Sequence, residues 1–206
     1  ILFFFAPASI PFLNPSPDRA APPPPPPPLL FSTDKEAGLR ANTSQKADIL
    51  RTIENAVLTK ETVGSMKRLT IILEDGQSER FIEMGDLFGL YRMNPPKDLS
   101  AWIEKIPMIF VFSADSGPRF GLAVKTTDSD RTESAILAWE PFLSSELEPL
   151  FFGETHELRN ASFEDRAYRN VDVRFLPLST QKDLGIGYAI FPASDVLVLT
   201  TSETAL

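Results

Sequence analysis

Pro107-Met108-Ile109-Phe110-Val111-Phe112, a turn at Asp115-Ser116-Gly117-Pro118, and Phe120-Gly121-Leu122-Ala123-Val124-Lys125 decide the fold. The first run is nearly all apolar and β-prone, the pattern of a central strand buried on both faces. The turn sends the chain back into the second run. A helix is predicted from Asp128 or Ser129, with Asp128 as its cap and Ala135, Ile136, Trp139 and Leu143 at helical spacing. Pro141 falls inside that pattern, lacks a backbone N–H, and is expected to kink or break the helix. Ser144 or Ser145 would recap a second piece ending at Leu150-Phe151. Strands are predicted at about 168–176, 186–191 and 195–201, and Ser202-Glu203-Thr204 reads as another helix start.

Upstream, Leu29 to Thr33 reads as a short strand followed by a polar loop through Asn42. Thr43 or Ser44 caps a helix to about Leu58, with Ile49, Leu50, Ile53 and Val57 as its buried stripe. Met66 to Glu74 is a strand with Leu69, Ile71 and Leu73 on one face. Asp75-Gly76 and Arg80-Phe81-Ile82 complete a hairpin. Helical pieces follow around Asp86–Tyr91 and Leu99–Lys105, the second capped by Asp98 or Ser100. The fold class is α+β, with an antiparallel or mixed sheet and helices mainly on one face. The domain spans 29–206, divisible into 29–105 and 106–206. Phe110, Phe112, Trp139, Phe142, Phe151 and Phe175 mostly occupy apolar positions and read as core.

The first 28 residues differ in kind. Residues 1–13 carry no charge, and 14–28 end in seven consecutive prolines, Pro22 to Pro28. Proline fixes φ and donates no hydrogen bond, so the run is expected to form polyproline II, a stiff spacer of roughly 20 Å. The alternative is a ligand for an SH3-like or WW-like module. Thirteen apolar residues are fewer than the about 20 a membrane helix needs. The segment therefore reads as the outer end of a truncated anchor. The apolar part of a signal peptide and an apolar strand are the other two readings. No Met begins the chain, and both ends are expected to be cut.

Composition narrows the chemistry. A net charge of -8 argues against nucleic-acid binding, which needs clustered Lys and Arg. The absence of cysteine excludes disulfides, Fe–S clusters and thiolate zinc sites. No Gly-x-Ser-x-Gly elbow or phosphate loop is present, and no cofactor, metal or catalytic residue is expected. His156, the one histidine, reads as a surface residue in a polar loop. Asn42-Thr43-Ser44 and Asn160-Ala161-Ser162 fit the glycosylation triplet, which arises often by chance and which a bacterial origin would make idle.

The polar cluster of interest is Asp165, Arg166, Arg169, Asn170, Asp172 and Arg174. On one strand, Asn170, Asp172 and Arg174 share a face, opposite Val171, Val173 and Phe175. The plainer reading is a solvent face with Asp172 and Arg174 paired. The sharper one is an interaction surface made of Asp165, Arg169, Asn170, Asp172 and Arg174. Glu140 with Asp165 is the alternative acid–base pair of a hydrolase, although nothing in the sequence brings them together.

Several motifs resemble those of a family of uncharacterised membrane proteins from candidate-phyla bacteria. They are Phe88-Gly89-Leu90-Tyr91, the Pro107–Phe112 run, Ala135 to Pro141, Glu146 to Phe151, Phe163-Glu164-Asp165, Asn170 to Arg174, and Val196 to Thr201. The resemblance implies one N-terminal membrane helix, a proline-rich spacer and an extracytoplasmic α+β domain at the cell membrane, and implies no activity. The expected function is an anchored interaction or scaffold module of the cell envelope, bound to an unidentified protein partner. A cell-envelope hydrolase using paired carboxylates is the alternative.

Overall fold

The computed structural model describes residues 26–27, 29–76, 78–154, 161–179 and 181–206. The apolar 1–13 segment, most of the proline spacer, His156 and Asn160 lie outside the described residues. Among the described residues no helix is long and apolar enough to cross a membrane.

Nine strands form one mixed sheet: β1 (Lys35–Asn42), β2 (Met66–Asp75), β3 (Ser78–Phe81), β4 (Met108–Ala114), β5 (Gly117–Lys125), β6 (Glu164–Tyr168), β7 (Val171–Pro177), β8 (Gly185–Phe191) and β9 (Val196–Thr200). Their order is β1-β2-β4-β5-β9-β8-β7-β6, with β3 paired to the far end of β2. Only β1 and β2 run parallel; every other pair is antiparallel. The helices are α1 (Lys46–Leu58), α2 (Met84–Tyr91), α3 (Leu99–Trp102) and α4 (Ser129–Glu146), followed by a 3-10 turn at Glu148–Phe151.

The expected α+β architecture is present, and the sheet alternation explains its layering. Leu69, Ile71 and Leu73 of β2, Ile109 and Val111 of β4, and Leu122 and Val124 of β5 point one way, into a core shared with Ile53 and Val57 of α1 and Ile136, Trp139 and Leu143 of α4. The opposite face carries a smaller core of Met108, Phe110, Ala123, Val196 and Val198, with no helix on it among the described residues. Leu30, Phe31, Ala205 and Leu206 cover part of it instead. Phe31 meets Phe110 edge to face at 5.2 Å between ring centroids. Phe110 itself stands opposite Gly121 in the β4–β5 ladder.

Four expectations are corrected. Lys35–Asn42, expected to be loop, is the edge strand β1, whereas Leu29 to Thr33 forms no strand and contributes Leu30 and Phe31 to the open face. An edge strand needs only one apolar side, and here that side is the small set Ala37, Leu39 and Ala41. Within the strand expected at 168–176, Arg169 and Asn170 form a turn and only Val171–Pro177 is that strand, while Glu164–Tyr168 is a strand the sequence reading omitted. The Ser202-Glu203-Thr204 segment makes a single turn, in which Ala205 N donates to Ser202 Oγ at 3.1 Å and Asp183 accepts from Ser202 Oγ and Glu203 N. Phe142, expected in the core, is 57% exposed.

Pro141 does not end its helix: α4 runs unbroken from Ser129 to Glu146, and no second cap forms. Asp128 caps it as expected, accepting from Arg131 N at 3.0 Å. The ring lies on the exposed side, as does Leu137, whose carbonyl Pro141 cannot bond, while Trp139 and Leu143 pin both halves to the core. Pro141→Ala is therefore expected to raise stability by about 1–2 kcal/mol in urea unfolding, the helix gain being partly offset by a freer unfolded chain.

Acid sensitivity is built into the start of α2. Asp86 accepts Arg80 Nη1 and Nη2 at 2.6 and 2.8 Å and the N–H of Glu83 at 2.8 Å. The Arg80 guanidinium first, and the Glu83 N–H after it, hold its carboxyl below the usual value against some loss of hydration. A depressed carboxyl stabilises the fold above its unfolded value near 4, and that stabilisation is lost as pH falls through the folded one. Asp86→Asn is expected to cost about 1 kcal/mol at pH 7 and less at pH 2.5, as checked by thermal melts at both pH values.

Candidate functional site

The β6–β7 hairpin and the inner flank of α4 bring the sequence's candidate residues to one end of the sheet. Arg169 and Asn170 form the two-residue turn between the strands, with φ of 50° and 66°. Positive φ at both positions is the type I′ geometry that matches strand twist, and asparagine tolerates it well. Asn170 is therefore a turn residue and shares no strand face with Asp172 and Arg174. Asp165 and Arg174 are direct cross-strand neighbours.

Arg174 is the centre of the cluster. Its Nε and Nη2 donate to Glu140 Oε1 and Oε2, both at 2.8 Å, and its Nη1 donates to Asp165 Oδ1 at 2.5 Å. Tyr188 of β8 donates its hydroxyl to Glu140 Oε1 at 2.6 Å. The expected Asp172–Arg174 pair does not form, because the fork of the guanidinium is spent on Glu140 and Asp165. The two carboxylates raise the Arg174 pKa above its ordinary value, Glu140 contributing more. Burial, and then Glu140, push the Tyr188 phenol up, so it stays a proton donor.

These residues are unequally buried. The Glu140 side chain is 15% exposed and that of Asp165 85%. Both act as acceptors to one cation, which ties up the charges an acid–base pair would use. Arg166 is also committed, bonding Glu164 and Glu203 with its guanidinium over the Phe175 ring. Arg169 stacks over Tyr168, 5.2 Å from the ring centroid.

Beside the cluster runs a groove of about 490 Å³ between Asp130 and Glu133 of α4 and Asp172 and Asn170 of the hairpin. Asp130, Glu133 and Asp172 form no ion pair among the described residues. No group of three or more metal-ligating side chains lies together among the described residues.

Glu140 and Asp165 both converge on Arg174, which sequence separation hid. Tyr188 was missed altogether. One signal was available for Glu140: it lies four residues after the buried Ile136, on the flank of the apolar stripe, where a charged side chain needs a partner.

No protein-family model matches the chain, and neither a curated protein nor a solved structure does.

Proposed function

We propose that the chain is the extracytoplasmic domain of a single-pass membrane protein and works as an interaction or scaffold module of the cell envelope. The observation that carries the module reading is the β6 edge. This strand ends the sheet, four of its five residues are exposed, and its outer backbone groups have no partner strand among the described residues. Such an edge is a template for pairing with another chain. The tether rests on the uncharged 1–13 segment and the seven prolines before the folded part.

The hydrolase reading has one observation behind it, the convergence of Glu140 and Asp165. Arg174 between them counts against it, since each carboxylate already accepts from that cation.

The test uses the full chain in cells. It contains no cysteine, so Ser144→Cys, on the exposed side of α4, gives a single reporter. Fractionation with membranes and labelling of intact cells by an impermeant maleimide are expected. A chain in the soluble fraction, or one labelled only after lysis, overturns the tether. Degradation of wall polymer by the purified chain, abolished by Glu140→Gln, overturns the module reading in favour of the hydrolase.

A further inference from the structure

We infer that the proline run docks on this domain's own sheet, lying as polyproline II along the helix-free face of β2, so that the trough beside Arg68 is a proline-recognition site filled in cis. The inference concerns the spacer and holds whether or not residues 1–13 enter a membrane.

The leading peptide is already seated on this face. Asp34 N bonds Met66 O, and Arg68 donates Nη2 to the carbonyl of Pro27 at 2.5 Å, so from Asp34 back to Pro27 the chain runs counter to β2. Arg68 and Thr70 alternate with Leu69 and Ile71 of the main core and therefore stand on the face away from the helices. Pro27 lies against Thr70, Phe81, Ile106 and Pro107, and the space left open among them is about 10 Å³, the room of a single water. Arg68 is 5% exposed, and its contact with Glu36 is long at 3.5 Å, so the Pro27 carbonyl is its closest acceptor.

The same surface continues in the direction the run takes. Next along β2 come Thr70, whose hydroxyl makes no hydrogen bond among the described residues, and the half-buried Ile72. Opposite Thr70 in β1 stands Gly38, where an added Cβ would meet nothing within 4 Å. Ile106, 40% exposed, lines one wall, and the ion pairs of Arg40 with Glu74 and Glu79 close the far end. This trough has apolar walls and side-chain donors in Arg68 and Thr70. Polyproline is its complement, since it offers rings and carbonyls and no N–H at all. At about 3.1 Å per residue, the roughly 13 Å from Arg68 to Ile72 holds about four residues, Pro23 to Pro26. The three-residue turn of the helix returns the Pro24 carbonyl to the side of the Pro27 carbonyl. Because the run is joined to the seated Pro27, it meets the trough at an effective concentration of order millimolar, ahead of any free proline-rich chain. A run held in this way is closed to an SH3-like or WW-like module.

The full chain in detergent, which has no native cysteine, is tested by paired replacements. Pro24→Cys with Ile72→Cys is expected to close an intramolecular disulfide under mild oxidation at least about tenfold faster than Pro24→Cys with Ser144→Cys on α4. Adding Arg68→Met to the first pair is expected to slow closure about tenfold, with a thermal melt showing that the domain is still folded. Thr70→Val, close in shape to the native residue, is expected to slow it about fivefold and carries the test if Arg68→Met does not fold. Equal closure by the two cysteine pairs overturns the docking, and so does a first pair whose rate neither substitution changes. If the pairs close equally while the chain fractionates with membranes, the spacer is a free rod and the tether stands. If the Ile72 pair closes fast in a chain recovered from the soluble fraction, the docking stands and the tether falls.

Discussion

Gly121→Ala is expected to destabilise the domain by about 3 kcal/mol, well beyond the tenths that a strand glycine-to-alanine change normally moves in the other direction. A Cβ at this position would lie 2.1 Å from Cζ of Phe110 and 2.4 Å from Cε2, far inside contact distance. The ring cannot step aside freely. Phe110 is fully buried between strands, and Phe31 closes over it edge to face. For a chain of this size the loss corresponds to a melting-temperature drop of about 10 °C. Urea unfolding followed by tryptophan fluorescence measures it, since Trp139 sits in the main core. The control is Phe110→Leu in the same chain: the pair is expected to cost less than the sum of the two single changes, because the smaller side chain vacates the space. Strict additivity would place the clash elsewhere.

Glu140→Ala is the second large effect, also about 3 kcal/mol. The change removes the acceptor of the buried Tyr188 hydroxyl and two of the three bonds made by Arg174, leaving a phenol and a partly buried cation short of partners. Glu140→Gln keeps one carbonyl oxygen and is expected to fall between the two. A triple replacement, Glu140→Leu with Arg174→Met and Tyr188→Phe, removes every polar group together and is expected to recover most of the stability, as apolar substitutes for buried ion pairs do. Chemical denaturation of the four proteins checks the order. If Glu140→Ala is as stable as wild type, the cluster is not holding α4 to β7 and β8.

The legible parts of the fold were those with a strong local pattern. The alternation of β2 and the continuous apolar run of β4 mark strands whatever surrounds them, and Ile49, Ile53 and Val57 fall at helical spacing. Both strands that were missed, β1 and β6, end the sheet. β1 turns inward only Ala37, Leu39 and Ala41, and the apolar residues of β6, Ala167 and Tyr168, are both exposed among charges, so no hydrophobic period stands out. Pro141 misled for the converse reason: a local breaker was overridden by tertiary packing on both of its sides. At the site, the sequence reading paired Arg174 with Asp172, whereas Arg174 bonds Glu140 and Asp165. Glu140 lies 34 residues from Arg174, and Tyr188 lies 48 from Glu140. Only the return of α4 across β7 and β8 brings them within bonding distance, and no motif of adjacent residues encodes that.

The far side of the sheet has a mechanical consequence. Arg68, buried on β2, donates Nη2 to the carbonyl of Pro27 at 2.5 Å, and Asp34 N bonds Met66 O just before β1 begins. Tension applied through the leading peptide would thus load an interior strand, clasped by β1 on one side and by β3 and β4 on the other, before it reached the parallel β1 border. Pulling must first rupture a guanidinium clasp and then extract Phe31 from its aromatic socket. Those two contacts would yield before the strands of the sheet did.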